Sequence, residues 1–213
     1  MNTIILNGSP KLNPKMSNTQ FLAEEFIKDM KNPVEIKRIS DCDPDELAEY
    51  IKRYDNVIIL FPLYIHAMPG PVASFLEKLK PAEQGKNLGF IIQSGFPDTH
   101  HHQYVTPYLK RLAERLNYNY LGAVCKGECA AIYQFPDGFK KTIDMFYRLG
   151  KEFDKTNAFD EKIVKEMAVP DTFSKKQLIF LNIAGKLKLT NIFWNSEMKK
   201  NKCLDKALDR PYL

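Results

Sequence analysis

Long apolar runs are missing from this 213-residue chain. One suspicious run, Leu178-Ile179-Phe180-Leu181, breaks at Asn182, and no run comes near the roughly 20 residues that a membrane-spanning helix needs. No membrane partner is therefore expected. Thiols are few. Cys42, Cys125, Cys129 and Cys203 form neither a disulfide framework nor a CxxC pair, which suits a reducing compartment. The sequence opens without a charged-then-apolar leader, so a cytoplasmic location is expected. Charge of one sign hardly dominates: 31 Lys and Arg against 26 Asp and Glu give +5. That excess reads as mild and spread along the chain. It argues against nucleic acid and weakly for small anionic ligands. Two nucleotide signatures are also absent, the dinucleotide GxGxxG and the phosphate loop GxxxxGK[ST]. What remains is an ordinary globular composition, 44% apolar and 27% charged, with no repeat and no low-complexity linker.

Strand and helix patterns alternate through the first two thirds. Thr3 to Leu6 reads as a strand buried on both faces. Ser17 to Met30 reads as a helix, with Leu22, Phe26 and Met30 on one side. Val34 to Ile39 alternates apolar and charged residues, as an edge strand would. Asp45 to Tyr54 is helical, and Val57 to Phe61 is the most apolar run and the expected central strand. A helix through Val72, Phe75, Leu76 and Leu79 precedes a strand from Leu88 to Ile92. A helix through Val105, Leu109, Leu112 and Leu116 precedes a strand from Tyr120 to Val124. Five such units predict an α/β fold, a parallel sheet with helices on both faces. From about Phe139 only helical patterns remain: Ile143 to Phe153, Asp160 to Met167, and Lys175 to about Leu187 capped by Ser174 after a break at Pro170. The expected division is a sheet domain over residues 1–138 and a helical C-terminal extension over 139–213, packed on the same domain. Phe193, Trp194 and Tyr212 are expected to dock that extension.

Ligands of open parallel sheets sit beyond the carboxyl ends of the strands. After the first strand comes NGSPKLNPKMSNT. Gly8 allows a sharp turn, Ser9, Ser17 and Thr19 offer hydroxyls, and the helix start at Asn18-Thr19-Gln20 offers unpaired N–H groups and partial positive charge. That set suits a phosphate monoester. Taken alone it is equally a helix cap after a turn, since Ser, Asn and Thr are the ordinary capping residues. After the third strand comes FPLYIHAMPGP, stiffened by prolines around Tyr64. Its plain alternative is a proline turn before a helix. After the fourth comes QSGFP, where Gly95 permits close backbone approach and Phe96 supplies a second aromatic wall.

Taken in order, GSP with SNT, then PLY before MPG, then SG with an aromatic, the three loops resemble those of flavodoxin-like NAD(P)H-dependent oxidoreductases, the family of FMN reductases and quinone reductases. The likeness covers about Met1 to Ile132. It implies a flavodoxin-like five-stranded parallel sheet in the order 2-1-3-4-5 and bound FMN. Ser9, Ser17, Asn18 and Thr19 would hold the FMN phosphate, Pro62, Leu63, Tyr64 and Ile65 would line the isoalloxazine, and Ser94, Gly95 and Phe96 would close its other edge. It implies hydride transfer from NAD(P)H and ping-pong reduction of a small-molecule acceptor: a quinone, a flavin, or a nitro or azo compound. No catalytic side chain and no metal are expected. The resemblance, with the apolar Leu178 to Ala184 stretch, also implies a homodimer.

Six residues separate Pro10 from Ser17, so Lys11 stays outside the expected site. His100-His101-His102 lacks the ligand spacing of a zinc site and reads as a loop at the rim of the cleft. Cys125 and Cys129 are two thiols where an iron–sulfur cluster needs four. His66 is as readily a loop residue as a substrate contact. Two competing functions stay open: an electron-carrier flavodoxin, against which the basic pI counts, and a non-catalytic binding module on the same fold.

Overall fold

The computed structural model describes residues 1–97, 99–169, 175–188 and 190–209, apart from the side chains of residues 177, 190 and 193. The chain divides into two compact units, Met1–Pro170 and Asp171–Leu213. In the first, strands β1 (Thr3–Asn7), β2 (Val34–Arg38), β3 (Asn56–Pro62), β4 (Asn87–Gln93) and β5 (Asn119–Lys126) pair in parallel in the order β2-β1-β3-β4-β5. This is the expected order. The same unit holds α1 (Asn18–Ile27), α2 (Pro44–Tyr50), α3 (Gly70–Leu76), α4 (Val105–Arg115), α5 (Lys140–Thr156) and α6 (Glu161–Ala168). The second unit holds α7 (Lys175–Lys186) and α8 (Thr190–Lys200).

Alternation along the strands sends apolar side chains to both faces. Ile4, Leu6, Ile59, Phe61, Phe90 and Ile92 pack with Leu47 and Ile51 near α2, Val72 and Phe75 of α3, and Leu109 of α4. Ile5, Ile58, Leu60, Ile91 and Val124 pack with Leu22 and Phe26 of α1 and Phe146, Leu149 and Phe153 of α5. Full burial of each such side chain contributes about 1.5–3 kcal/mol. All seven residues of β3 are buried, as a central strand requires. Those of β2 are only half-buried, because it is the edge.

Two elements are shorter than their periodicity suggests. The first helix ends at Ile27 instead of Met30 because Asp154 of α5 grips the following turn. Its carboxylate accepts from the N–H groups of Lys31 at 2.9 Å and Asn32 at 3.1 Å. The helix expected to reach Tyr54 tightens into a 3-10 turn over Ile51–Arg53. Helices α1 and α5 touch backbone to side: a Cβ on Gly150 would lie 1.6 Å from the Phe26 carbonyl oxygen. Only glycine fits there.

The amino ends of three strands carry an asparagine ladder. Asn119 Nδ2 donates to Asn87 Oδ1 at 3.1 Å, and Asn87 Nδ2 donates to Asn56 Oδ1 at 2.7 Å. Asn56 Nδ2 in turn donates to Asn157 Oδ1 at 2.8 Å and Thr3 Oγ1 at 3.1 Å. In the second unit Trp194 is 63% exposed. The break at Pro170, the Ser174 cap and Tyr212 lie outside the described residues.

Candidate functional site

The carboxyl end of β1 leads into the first loop. Gly8 does not turn there in a left-handed conformation. Its need is steric: a Cβ would lie 2.4 Å from Val72 Cγ2 and 2.8 Å from Phe61 Cβ. The glycine therefore seats the loop on α3 and β3, a packing reason in place of the expected turn. Asn7 then organises both ends of the loop. Its Oδ1 accepts from Ser9 N at 2.9 Å, and its Nδ2 donates to Gln20 Oε1, in the first turn of α1, at 2.7 Å.

Three hydroxyls are buried in this region, with exposures of 3% for Ser9, 2% for Ser17 and 1% for Thr19. Each is already an acceptor. Ser9 Oγ receives Lys11 N at 3.3 Å, Ser17 Oγ receives Gln20 N at 3.3 Å as the cap of α1, and Thr19 Oγ1 receives Gln93 Nε2 at 3.4 Å. A hydroxyl also carries one O–H to donate. Among the described residues none of these three O–H groups meets an acceptor, nor do the backbone N–H groups of Asn18 and Thr19. Buried donors gathered in one place can be met by water or by an anionic oxygen ligand. The set fits a phosphate monoester at a helix start. Asn18 also serves the protein: its Oδ1 accepts from Tyr133 N at 3.4 Å.

Lys11, left outside the expected set, folds back onto this loop. Its Nζ donates to the Met16 carbonyl, next to Ser17, at 2.7 Å, and lies 5.1 Å from the Tyr133 ring centre. The chain reaches that far because Pro14–Met16 coils into a 3-10 turn capped by Asn13. Spacing alone could not show the contraction.

The second loop continues the sheet and then reverses. Leu63 N donates to Gln93 O at 2.8 Å. Tyr64 and Ala67 exchange both backbone hydrogen bonds, at 2.8 and 3.0 Å. Between them Ile65 (φ 48°) and His66 (φ 63°) are both left-handed, the arrangement of a type I′ turn that favours Asn and Gly. A β-branched residue there is strained. Ile65 points outward and is 96% exposed, whereas Tyr64 is half-exposed. Pro62 is buried as the last residue of β3.

The third loop is held from β5. Ser94 N donates to Lys126 O at 3.0 Å, and Ser94 O accepts from Cys129 N at 2.9 Å. Glu128 N donates to Phe96 O at 2.9 Å. A Cβ on Gly127 would lie 2.3 Å from Pro97 O, so glycine is obligatory beside this loop. Around Gly95, by contrast, a Cβ would find only Ala130 Cβ, at 3.5 Å. The protein itself leaves that space open. The 126–129 segment was not legible as part of the site, because it contributes only backbone hydrogen bonds, to a loop 32 to 35 residues earlier in the chain.

Rings join the second and third loops. Phe96 and His101 have centroids 4.8 Å apart, His101 and His66 4.9 Å, and His66 meets Tyr104 edge-on at 5.6 Å. His66 Nδ1 donates to the His101 carbonyl at 3.2 Å. The histidine run is a 3-10 turn over His100–His102. Among the described residues no three His, Cys, Asp or Glu side chains gather as a metal site. Burial pushes the Cys125 and Cys129 thiols up to about 12, and Cys129 donates its S–H to Gly127 O at 3.3 Å. Neither is an activated nucleophile.

No protein-family model matches the chain, and no curated protein matches its sequence. Its fold does match solved structures. An NADPH-quinone reductase from P. pentosaceus is 20% identical over 70% of this chain and 96% of its own, with a TM-score of 0.54. An FMN-dependent NADH-azoreductase from Bacillus anthracis, solved in complex with FMN, is 17% identical over 70% of this chain and all of its own, with a TM-score of 0.52. The apo form of an NADH:FMN oxidoreductase is 14% identical over 79% and 94%, with a TM-score of 0.55. With the strand order and the loops at its carboxyl edge, these likenesses give this chain the flavodoxin-like α/β fold.

Proposed function

We propose that the chain is an FMN-dependent oxidoreductase that takes hydride from NAD(P)H and reduces a small acceptor of the quinone, flavin, nitro or azo class. The observation that carries the reading is the set of buried hydroxyls, Ser9, Ser17 and Thr19, which accept protein hydrogen bonds but donate none. They fit the phosphate of FMN, together with the free N–H groups at the start of α1. FMN, when bound, supplies the two-electron acceptor of the reaction.

The protein's own part is to bind, orient and exclude water. Ser9, Ser17, Asn18 and Thr19 hold the phosphate. Pro62, Leu63, Tyr64 and Ile65 border one side of the ring site, and Ser94, Gly95 and Phe96 border the other. The aromatic chain from Phe96 through His101 to His66 fixes the two loops relative to one another. Tyr64 and Phe96, still half or more exposed, leave room for a planar nicotinamide or acceptor to stack. One site serving both in turn gives ping-pong exchange, and no side chain has to act as general base.

Anaerobic stopped-flow mixing of FMN-loaded protein with NADH and then NADPH tests this. Oxidised-flavin absorbance is expected to bleach with at least one of them, and more slowly in Tyr64→Ala. No bleaching within minutes by either nucleotide would leave an electron carrier in place of a reductase. Protein that stays colourless after addition of FMN would remove both. FMN is expected to bind more tightly than riboflavin, and equal affinity would defeat the phosphate assignment.

A further inference from the structure

The positive charge is not spread along the chain. Residues 1–170 hold 22 basic and 22 acidic residues, whereas residues 171–213 hold nine basic and four acidic ones. The whole excess of +5 therefore sits in the second unit. The same unit carries an exposed apolar surface. Ile179, Phe180, Ile183 and Leu187 around α7, and Ile192 and Trp194 on α8, are each 52–67% exposed. Residues 179, 183 and 187 recur every fourth position, so they share a stripe along the helix. Leu178 and Leu181, 47% and 41% exposed, carry the apolar surface further round the helix. Lys175, Asn182 and Lys186 therefore leave only a narrow polar stripe beside Ile179. Lys176 falls among the apolar residues, where a lysine stem can lie along them with its charge towards water.

We propose that α7 and α8 form an interfacial anchor that lies on an anionic lipid bilayer, with the apolar surface of α7 in the headgroup region and the lysines on the lipid phosphates. A helix of this kind lies in the plane of the interface and needs no span. At 12 residues α7 is about 18 Å long against a hydrocarbon core of about 30 Å. Among the described residues no helix is long and apolar enough to cross. The absence of a span, which led to the expectation of no membrane partner, therefore does not bear on this mode of binding. Charge decides against a second copy as the occupant. Pairing two such units would bring two +5 charges together, whereas an anionic surface attracts each lysine near it. Trp194, an amphipathic ring, is of a type that settles at membrane interfaces.

Trp194 is the only tryptophan in the chain, so its emission reports on this unit alone. Full-length protein is mixed with vesicles of phosphatidylcholine, and separately of phosphatidylcholine with phosphatidylglycerol. The expected result is a blue-shifted emission and co-sedimentation with the anionic vesicles. Binding to the neutral ones should be weaker by about tenfold or more. High salt, which shortens the screening length from about 10 Å to about 3 Å, should release most of the protein. Phe180→Glu is expected to abolish binding without changing the melting temperature, since the side chain is two-thirds exposed. Lys186→Gln with Lys188→Gln is expected to weaken it about thirtyfold with the apolar surface intact. No sedimentation with anionic vesicles overturns the proposal. So does a dimer that Phe180→Glu dissociates while vesicle binding is absent. Flavin reduction is not read in this experiment, so its outcome is separate from that of the proposed activity.

Discussion

The two ends of the central sheet use polar side chains in opposite ways. At the amino ends of β3, β4 and β5, the amides of Asn56 and Asn87 both donate and accept, Asn119 opens the chain of bonds as a donor, and the chain ends on Thr3 and Asn157. Thr3, 1% exposed, only accepts there, a single hydroxyl of that kind against three gathered at the other end. At the carboxyl ends, Ser9, Ser17 and Thr19 are buried just as deeply, yet each only accepts. The difference is one of accounting for donors and not of polarity or burial. A satisfied polar network rigidifies a fold, whereas unsatisfied donors hold a place for something else. Residue type alone would rank the two ends alike.

If that contrast is right, damage at each end should appear in a different measurement. The largest effect is expected from Ser17→Ala combined with Thr19→Ala. Hydrogen bonds to a charged group contribute about 1.5–3 kcal/mol each, so FMN affinity should fall by about a hundredfold or more. The lost cap should cost only about 1 kcal/mol of stability. Calorimetric titration with FMN checks the first number and thermal melting of the apo protein the second. A large melting shift with unchanged affinity would reduce these residues to capping alone.

Asn56→Ala attacks the closed end. It strips partners from Thr3, Asn87 and Asn157 at once and should cost about 2–3 kcal/mol in urea unfolding. FMN affinity should not move. A matched loss of affinity in folded protein would erase the distinction between the ends.

A smaller gain is expected from Ile65→Asn. Asparagine tolerates the left-handed backbone that isoleucine resists, so stability should rise by about 1 kcal/mol. If the strained turn serves binding, flavin reduction slows in the same variant. If neither changes, the turn carries no strain that matters.

The last effect concerns pH and is absent until the medium approaches pH 9. Burial keeps Cys125 and Cys129 protonated to about 12, while an unfolded thiol ionises near its ordinary 9.0. The unfolded chain therefore loses these protons first. The stability the two thiols confer is intact below pH 9 and is lost as pH rises from there towards 12. Melting temperature followed up an alkaline pH series should fall, with a shallower slope in Cys129→Ala. Alkylation of Cys129 in the folded protein near neutral pH should be slow, and rapid labelling would show a reactive thiol at the open end.

The sheet was readable because each buried strand is a short apolar run ended by a turn or polar residue, from Ile4-Ile5-Leu6 to Leu88–Ile92. The three loops were readable because serine, glycine and proline stand directly after those runs. What could not be read depends on contacts distant in sequence. Gly8 looks like a turn residue, and only the position of Val72 shows that it is a packing residue. Gly127 and Glu128 support the Ser94–Phe96 loop through backbone bonds that no residue type advertises. Ile65 gives no hint of a left-handed turn, since its type argues against one. The asparagine ladder is hidden for a similar reason: asparagine at a strand start reads as a boundary, and its partners lie 31 to 101 residues away. The concentration of charge after residue 170 was present in the sequence but acquires meaning only once the second unit is delimited.

The missing Cβ of Gly150 has a kinetic consequence. Because α5 lies directly on the Phe26 backbone, the last turns of α1 cannot loosen unless α5 leaves with them. Amide protons there should exchange with deuterium only through opening of the whole first unit. The amides between Ser9 and Met16, tied mainly by local bonds, should exchange through small fluctuations on a far shorter timescale. Ligand capture at the start of α1 would then quieten the loop and leave the helix behind it as slow as before. The exchange map would show a boundary within a few residues of Ser17, between a mobile receptor and a fixed mount.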